Sequence, residues 1–356
     1  MDTLTHGFVP YAAFTIARRP RVERIAAAIG GIAPDMDAVW AWLSHSHEHA
    51  YPLVHRGFSH TFWGAPLLAT VLLFFVAHRK IAGRFRRFEN IWFTRGAFIP
   101  LWIGAWSHLL LDGLTITGIP LLWPFFDGRF TTDWFFFGIP YLLPLSLFGW
   151  IMIYRGKATD RVVKRVFALM VVVLLLAGSV RAYSYPRDLT GDEDVTPGPV
   201  DWMWIVSSRN DTGVHVYSTG WEGKIGPSVF FEDSAYGAPP HVRSACEETV
   251  GYVPWRWYMW GIPVTRATHV TVHGGVTTRE TVGGPTEDGV GGEEFVNGTW
   301  IVAYHDSALL FNERYPTFRL WQNPVRNAND SEEGGICTWT PSGNVKFQRA
   351  RGWIGS

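Results

Sequence analysis

The sequence predicts an all-α multi-pass membrane domain followed by a mostly β soluble domain. Three observations carry this expectation. Trp134 to Tyr154 runs for 21 residues without a charge, and a hydrocarbon core needs roughly 20 helical residues. Basic residues outnumber acidic ones 18 to 10 through Tyr183, and the balance reverses to 13 against 21 from Ser184 onward. Beyond Ser184, short β-type runs separated by Gly, Pro and Asn replace the long apolar stretches. The chain of 356 residues therefore reads as residues 1–183, a helical membrane domain with a metal site, 184–200, an acidic linker, and 201–356, an extracytoplasmic β domain.

The spans follow in order. Phe8 to Ala17 and Ile25 to Ala33 are each too short to cross alone and flank the basic cluster Arg18, Arg19, Arg21 and Arg24, so they read as a helical hairpin dipping in from the outer side. Gly57 to Ala77 and Gly96 to Leu111 are apolar stretches interrupted by His60 and His108, and both read as spans. Trp134 to Tyr154 is the third. Val166 to Val180 is the fourth, because it is too apolar for a surface helix and Arg165 and Arg181 can snorkel at its ends. Basic residues from Arg79 to Arg95 and from Arg155 to Arg165 belong in the cytoplasm by the rule that positive loops stay inside. The tail is then exported. No cleavable signal peptide is expected, since the first apolar run contains His6 and Pro10 and is followed by its basic cluster.

The tail opens on the breaker-rich segment Asp188 to Pro199 and continues with Val214 to Ser218, Ser228 to Phe231, His269 to His273 and Trp300 to Tyr304 as β-type runs. Its tryptophans, among them Trp202, Trp255, Trp257 and Trp260, serve as core or rest at the membrane interface. Cys246 and Cys337 are the chain's two cysteines. They exclude a thiolate zinc site and leave two readings, one disulfide in an oxidising compartment or two unpaired buried thiols. The zero net charge gives no sign of a nucleic-acid partner.

The chemistry concentrates in the amino-terminal half. His6 follows Asp2 by four residues and Asp112 follows His108 by four, a spacing that puts each imidazole and carboxylate on one helix face. Asp35 and Asp37 follow Pro34, and the segment from His55 to His60 adds two imidazoles and Arg56. The loop topology brings Asp2, His6, Asp35, Asp37, His55, His60, His108 and Asp112 to one membrane face. Imidazole and carboxylate without thiolate suit a divalent transition metal, Zn²⁺ first, with Mn²⁺ or Fe²⁺ as alternatives, in a hydrolytic site. An isolated His/Asp pair more often serves as a hydrogen-bonded helix pair, and only convergence of all eight favours a metal. The alternating tract Ser44 to His49 reads as a solvated loop.

Thr5-His6-Gly7, Pro34-Asp35-Met36-Asp37, the run from His55 through Arg56, Gly57, Phe58 and Ser59 to His60, and Ser107 to Thr115 with Leu121 to Phe125 resemble the YdjM-like family. Its members are LexA-regulated, inner-membrane-associated proteins regarded as metal-dependent hydrolases. The resemblance covers residues from about 1 to 180. It implies a multi-pass helical protein with His6, Asp35, Asp37, His55, His60, His108 and Asp112 as ligands, and a distant kinship with zinc-dependent phospholipase C and zinc-dependent single-strand nucleases. Ser59 stands where the family more often has Thr, and Ala38 to Val54 is richer in His and Trp than the family leads one to expect.

The expected function is a membrane-bound metal-dependent hydrolase that cleaves a phosphoester in a lipid or lipid-linked substrate at the outer face. In this reading metal-activated water attacks phosphorus, Asp35 or Asp37 is the general base, and Arg56 stabilises the developing oxyanion. Its partners are the bilayer and an amphiphilic small molecule. The alternatives are an ion-coupled transporter, which needs polar residues along several spans, and a membrane-anchored binding module built on the tail.

Overall fold

The computed structural model describes residues 2–37, 56–77, 95–116, 118–126, 128–136, 141–157, 159–187, 189, 191, 193–198, 200–210, 213–221, 223–232, 238–248, 263–273, 276–282, 297, 299–306, 334–342 and 344–349. It divides into two compact units, residues 1–183 and 184–356. His55 and the tract from Ser44 to His49 lie outside the described residues.

The first unit is helical. Helix α1 spans Thr3–Ile16, with the Asp2 carboxylate accepting from the Thr5 amide as its N-cap, the position where a short acidic side chain satisfies an orphan donor. A turn through Arg18, whose φ is 54°, leads to α2, Arg21–Ile32. The chain then forms a 3₁₀ turn, Ala33–Asp37, and after the next described residues a second one, Phe58–His60. Helices α3 (Gly64–Ala77), α4 (Arg95–Asp112), α5 (Leu142–Tyr154) and α6 (Asp160–Ser184) complete the unit.

Small residues set how closely these helices approach. The core between α2, α3 and α4 is built on Ala26, Ala33, Ala65, Ala69, Ala97 and Ala105, with Leu73, Leu101 and Leu109 filling the gaps. A methyl group on Gly30 would overlap the carbonyl of Leu101, and one on Gly104 would overlap the carbonyl of Ala27. The two backbones therefore touch at reciprocal glycines, the device by which helices pack closely where burial of large side chains gives no advantage. The large apolar side chains face outward instead: Leu67, Phe74, Ile99, Leu110 and Leu175 are each more than half exposed. An exterior this apolar calls for apolar surroundings.

The multi-pass expectation is corrected here. Among the described residues, α6 alone is long and apolar enough to cross a membrane. The uncharged stretch from Trp134 gives a helix of only 13 residues, α5, and Phe135, ahead of it, pairs with Thr115 as an isolated β-bridge. The stretch from Gly57 begins as a 3₁₀ turn and leaves 14 residues to α3. At 1.5 Å per residue, helices of this length reach about 20 Å, short of a hydrocarbon core. Helix α6 has 25 residues. It buries Val163, Val166, Met170 and Ala177 against Phe8, Ala12, Phe135 and Leu142, and its first residue, Asp160, takes both guanidinium arms of Arg24 at 2.6 and 3.2 Å.

The second unit consists of two antiparallel sheets and a short helix. Strands β1 (Glu193–Pro197), β2 (Met203–Arg209), β3 (Gly213–Gly220) and β4 (Gly223–Glu232) form a meander. Strand β1 falls within the stretch read as a linker and pairs along its whole length with β2. Helix α7, Pro240–Glu247, follows. Strands β5 (Pro263–His273), β6 (Val276–Val282), β7 (Thr299–Asp306), β8 (Gly334–Trp339) and β9 (Val345–Arg349) make a second sheet in the order β6-β5-β7-β8-β9, and α7 packs on β7, β8 and β9. Cys246, buried in α7, is disulfide-bonded. The chain has one other cysteine, Cys337 of β8.

The reciprocal glycine contact predicts that Gly104→Val, which adds volume against a carbonyl, destabilises the helical unit by about 1–3 kcal/mol or more. A melting temperature in detergent equal to that of the wild type would show that α2 and α4 separate at no cost.

Candidate metal centre

Four elements of the helical unit deliver the site. The 3₁₀ turn after α2 carries Asp35 and Asp37, the one before α3 carries Ser59 and His60, the last turn of α4 carries His108 and Asp112, and α1 carries His6. The approach of α1 to α2 is set at Gly31, where a methyl group would overlap the carbonyl of His6. That contact brings the His6 ring onto His108, stacked at 3.7 Å between centroids.

Asp35, His60, His108 and Asp112 each offer one ligand atom, all within 4.8 Å of one another. His60 Nε2 lies 3.1 Å from His108 Nε2. Oδ2 of Asp112 is 3.4 Å from His60 Nε2 and 3.5 Å from His108 Nε2, while Oδ1 of Asp35 is 3.8 and 3.5 Å from the same two atoms. Ligands bound at 2.0–2.1 Å in a tetrahedron stand about 3.3 Å apart. Five of the six separations among the four atoms, at 3.1 to 3.8 Å, are of that order.

The protonation of the two imidazoles follows from their other nitrogens. His108 Nδ1 is 2.8 Å from the Gly31 carbonyl, which only accepts, so Nδ1 carries the proton and Nε2 a lone pair. Ser59 Oγ donates its one proton to Asp37 Oδ2, so His60 Nδ1, 2.9 Å from that hydroxyl, must be the donor. Its Nε2 is a lone pair as well. Two imidazole nitrogens and two carboxylate oxygens thus converge on one point, a donor set that suits a cation.

Outer groups hold this arrangement. Asp112 Oδ1 accepts from Arg56 Nη2 at 3.1 Å and from His6 Nε2 at 3.2 Å, which turns Oδ2 toward the imidazoles. Arg56 also reaches Thr115 Oγ1 at 3.4 Å, and its backbone, at φ 60°, donates to Asp37 Oδ2 at 3.0 Å. Asp35 accepts from Thr3 Oγ1 at 2.7 Å through its second oxygen. It is the one carboxylate of the four-residue group with solvent exposure, since His60, His108 and Asp112 are fully buried. The group therefore opens to solvent on the Asp35 side.

Of the residues expected as ligands, then, the structure brings Asp35, His60, His108 and Asp112 together. Asp2 is not among them: its two oxygens cap α1, accepting from the Thr5 amide at 2.8 Å and the Thr5 hydroxyl at 2.7 Å. Asp37 lies behind His60, 3.4 Å from Nδ1, the nitrogen facing away from the group. His6 supports Asp112 from the side, and Arg56 directs its guanidinium to Asp112 and Thr115. His55 falls outside the described residues. Ser59, Thr3, Thr115 and the Gly31 carbonyl were not read from sequence as parts of the site; Ser59, between Phe58 and His60, and Thr115, at the end of the run from Ser107, stood within the motifs.

Burial, with His108 adding to it, lowers the His6 pKa from 6.5 to about 3. Burial alone would raise the Asp112 carboxyl, and the Arg56 guanidinium, with His6 beside it, brings it well below the usual carboxylate range. Asp35 is likewise lowered, because His108, His6 and His60 outweigh its burial. A histidine whose folded pKa is depressed costs stability as pH falls, because the unfolded chain takes up a proton that the folded one refuses. The metal-free protein is accordingly predicted to lose stability between about pH 6.5 and pH 3, and His6→Gln to lose less over that window. Parallel melting curves for the two proteins would contradict the assignment.

A family model described as YdjM inner membrane protein matches residues 1–185. The chain belongs to that family, which makes it a membrane protein. Neither the curated proteins nor the solved structures yielded a significant match.

Proposed function

We propose that this member of the YdjM inner membrane family is a metal-dependent hydrolase that cleaves phosphoesters of lipids or lipid-linked molecules. The observation that carries the reading is the convergence of two imidazole lone pairs and two carboxylate oxygens at 3.1–3.8 Å. Asp35, His60, His108 and Asp112 hold the ion, zinc being favoured by a tetrahedral nitrogen and oxygen set, with manganese or iron as alternatives. Such an ion supplies Lewis acidity and makes water acidic enough to react near neutral pH.

The chain's own groups divide the remaining work. Asp35, alone in meeting solvent, is placed to take a proton from the water that attacks, a role for which buried Asp37 has no access. Ser59 and Asp37 fix the His60 tautomer, as outer carboxylates do for metal-bound imidazoles. Arg56 acts through Asp112 and is a positioning residue in this account. Amphiphilic substrate is supported by an aromatic rim. Phe58, Phe62 and Trp63 flank His60 and are exposed, Phe58 sets its ring edge-on to Trp123, and the Phe62 amide donates to the Leu121 carbonyl at 2.8 Å. That loop in turn exposes Phe125, Phe126 and Phe130.

The side on which substrate is met follows from α6. Its first turn carries Asp160, bound to Arg24 at the basic end of α2, and Arg155, Lys157, Arg161, Lys164 and Arg165 surround it. Positive residues favour the cytoplasmic side. Near its other end, Ala177 and Gly178 meet Phe135 and Trp134, next to the Thr115 pairing that follows Asp112. The site and the end of α6 thus share one end of the helical unit. The disulfide at Cys246 supports an oxidising compartment for the tail that follows. We assign the site to that same outer face.

The test is elemental analysis and turnover on protein purified in detergent without chelator. One transition ion per chain is expected, with hydrolysis of phosphodiester or phosphomonoester lipids. Asp37→Asn is expected to weaken metal affinity about 10–100-fold, and Arg56→Lys to weaken metal retention and turnover together. Wild-type protein that takes up no metal, or loaded protein that leaves every lipid phosphoester intact, defeats the proposal.

A further inference from the structure

The tail presents a pair of tryptophans that its own core does not use. Trp202 and Trp221 stack at 6.1 Å between centroids with 20° between planes, and are 45% and 53% exposed. The pairing of β2 with β3 ends at Met203 opposite Gly220, so the two rings sit one step beyond the last paired residues, at the open end of the sheet. Trp221 begins the two-residue turn closed by Gly220 opposite Gly223, whose φ is 90°. A large apolar ring at the tip of a tight turn contributes nothing to the sheet's interior.

The position of that end is fixed within the second unit. Ser184, the last residue of α6, accepts from the Trp204 indole at 3.1 Å and donates to the Asp201 carbonyl at 3.3 Å. Tyr185 follows, 43% exposed, with its ring edge-on to Trp204 at 5.0 Å. The residue where the apolar helix ends is thus hydrogen-bonded to both neighbours of the segment carrying Trp202. Consecutive strand residues advance by only about 3.3 Å, so Trp202 lies within a few residues of the contacts made by the last residue of α6.

We infer that Trp202, Trp221 and Tyr185 form an interfacial anchor that seats the first sheet of the tail on the lipid headgroups at the outer end of α6. Tryptophan and tyrosine concentrate at this level because an apolar ring with a polar edge fits neither water nor hydrocarbon as well as it fits the boundary. The bilayer is the occupant because Ser184 and Tyr185, which contact this end of the sheet, follow the apolar run of α6 directly in the chain. A sugar or protein ligand would require the same rings to face open solvent.

The full chain, labelled with 5-fluorotryptophan and reconstituted in phosphatidylglycerol and phosphatidylethanolamine nanodiscs, tests this by fluorine NMR. Single Trp202→Phe and Trp221→Phe variants assign the two resonances, and both replace exposed rings by a ring of similar shape. A lipid carrying gadolinium at its headgroup is expected to broaden both signals beyond detection, while a soluble gadolinium chelate leaves them sharp. Broadening by the soluble chelate, with none from the headgroup lipid, would overturn the anchor and mark a free surface. The readout involves no metal at the helical site and no turnover, so it stands or falls separately from the hydrolase proposal.

Discussion

The helical unit is organised around one convergence of buried imidazole and carboxylate groups. Two imidazole nitrogens face each other at 3.1 Å, flanked by carboxylate oxygens, and the low dielectric of a buried site strengthens every interaction among them. A buried group of this kind persists only when outer contacts over-determine it. Here they do: the Gly31 carbonyl orients His108, Ser59 and Asp37 orient His60, and Arg56 with His6 orients Asp112. These contacts turn one atom each of His60, His108 and Asp112 toward a common point beside Asp35.

The packing of the helices serves the same end. His108 can reach the carbonyl of Gly31 only because α2 and α4 meet at glycine and alanine, and His6 reaches Asp112 because α1 closes on Gly31. With small residues spent on these approaches, the bulk of the apolar side chains is left on the outside. A bilayer tolerates that distribution and water does not, so the geometry of the site and the membrane character of the protein have a common origin.

Much of the centre was legible in the sequence. The spacing of His108 and Asp112 placed both on one helix face, and the motifs containing Asp35 and His60 joined them in the structure. Asp2 and His6 share the same spacing, yet Asp2 stands immediately before an apolar helix, where a carboxylate caps the backbone; helical pitch alone could not separate cap from ligand. Asp37 differs from Asp35 because a 3₁₀ turn sends residues two apart in different directions, and that turn has no hydrophobic period to reveal it. Arg56 was expected to meet a phosphoryl group because a guanidinium forks onto paired oxygens; in the fold it donates to Asp112, a partner distant in sequence. The multi-pass expectation failed for a different reason. Hydropathy registers composition, and the stretch after Trp134 is apolar throughout, but Phe135 pairs with Thr115 and the helix begins only at Leu142. In the tail, alternation and breakers pointed to β structure, while strand order and the pairing of β1 depend on contacts distant in sequence.

X-ray absorption at the metal edge of the zinc-loaded full chain addresses the central claim most directly. Four nitrogen or oxygen neighbours at about 2.0–2.1 Å, with outer-shell scattering from two imidazoles, is the predicted spectrum. Scattering from three or more imidazoles, or from none, would contradict a centre made of Asp35, His60, His108 and Asp112.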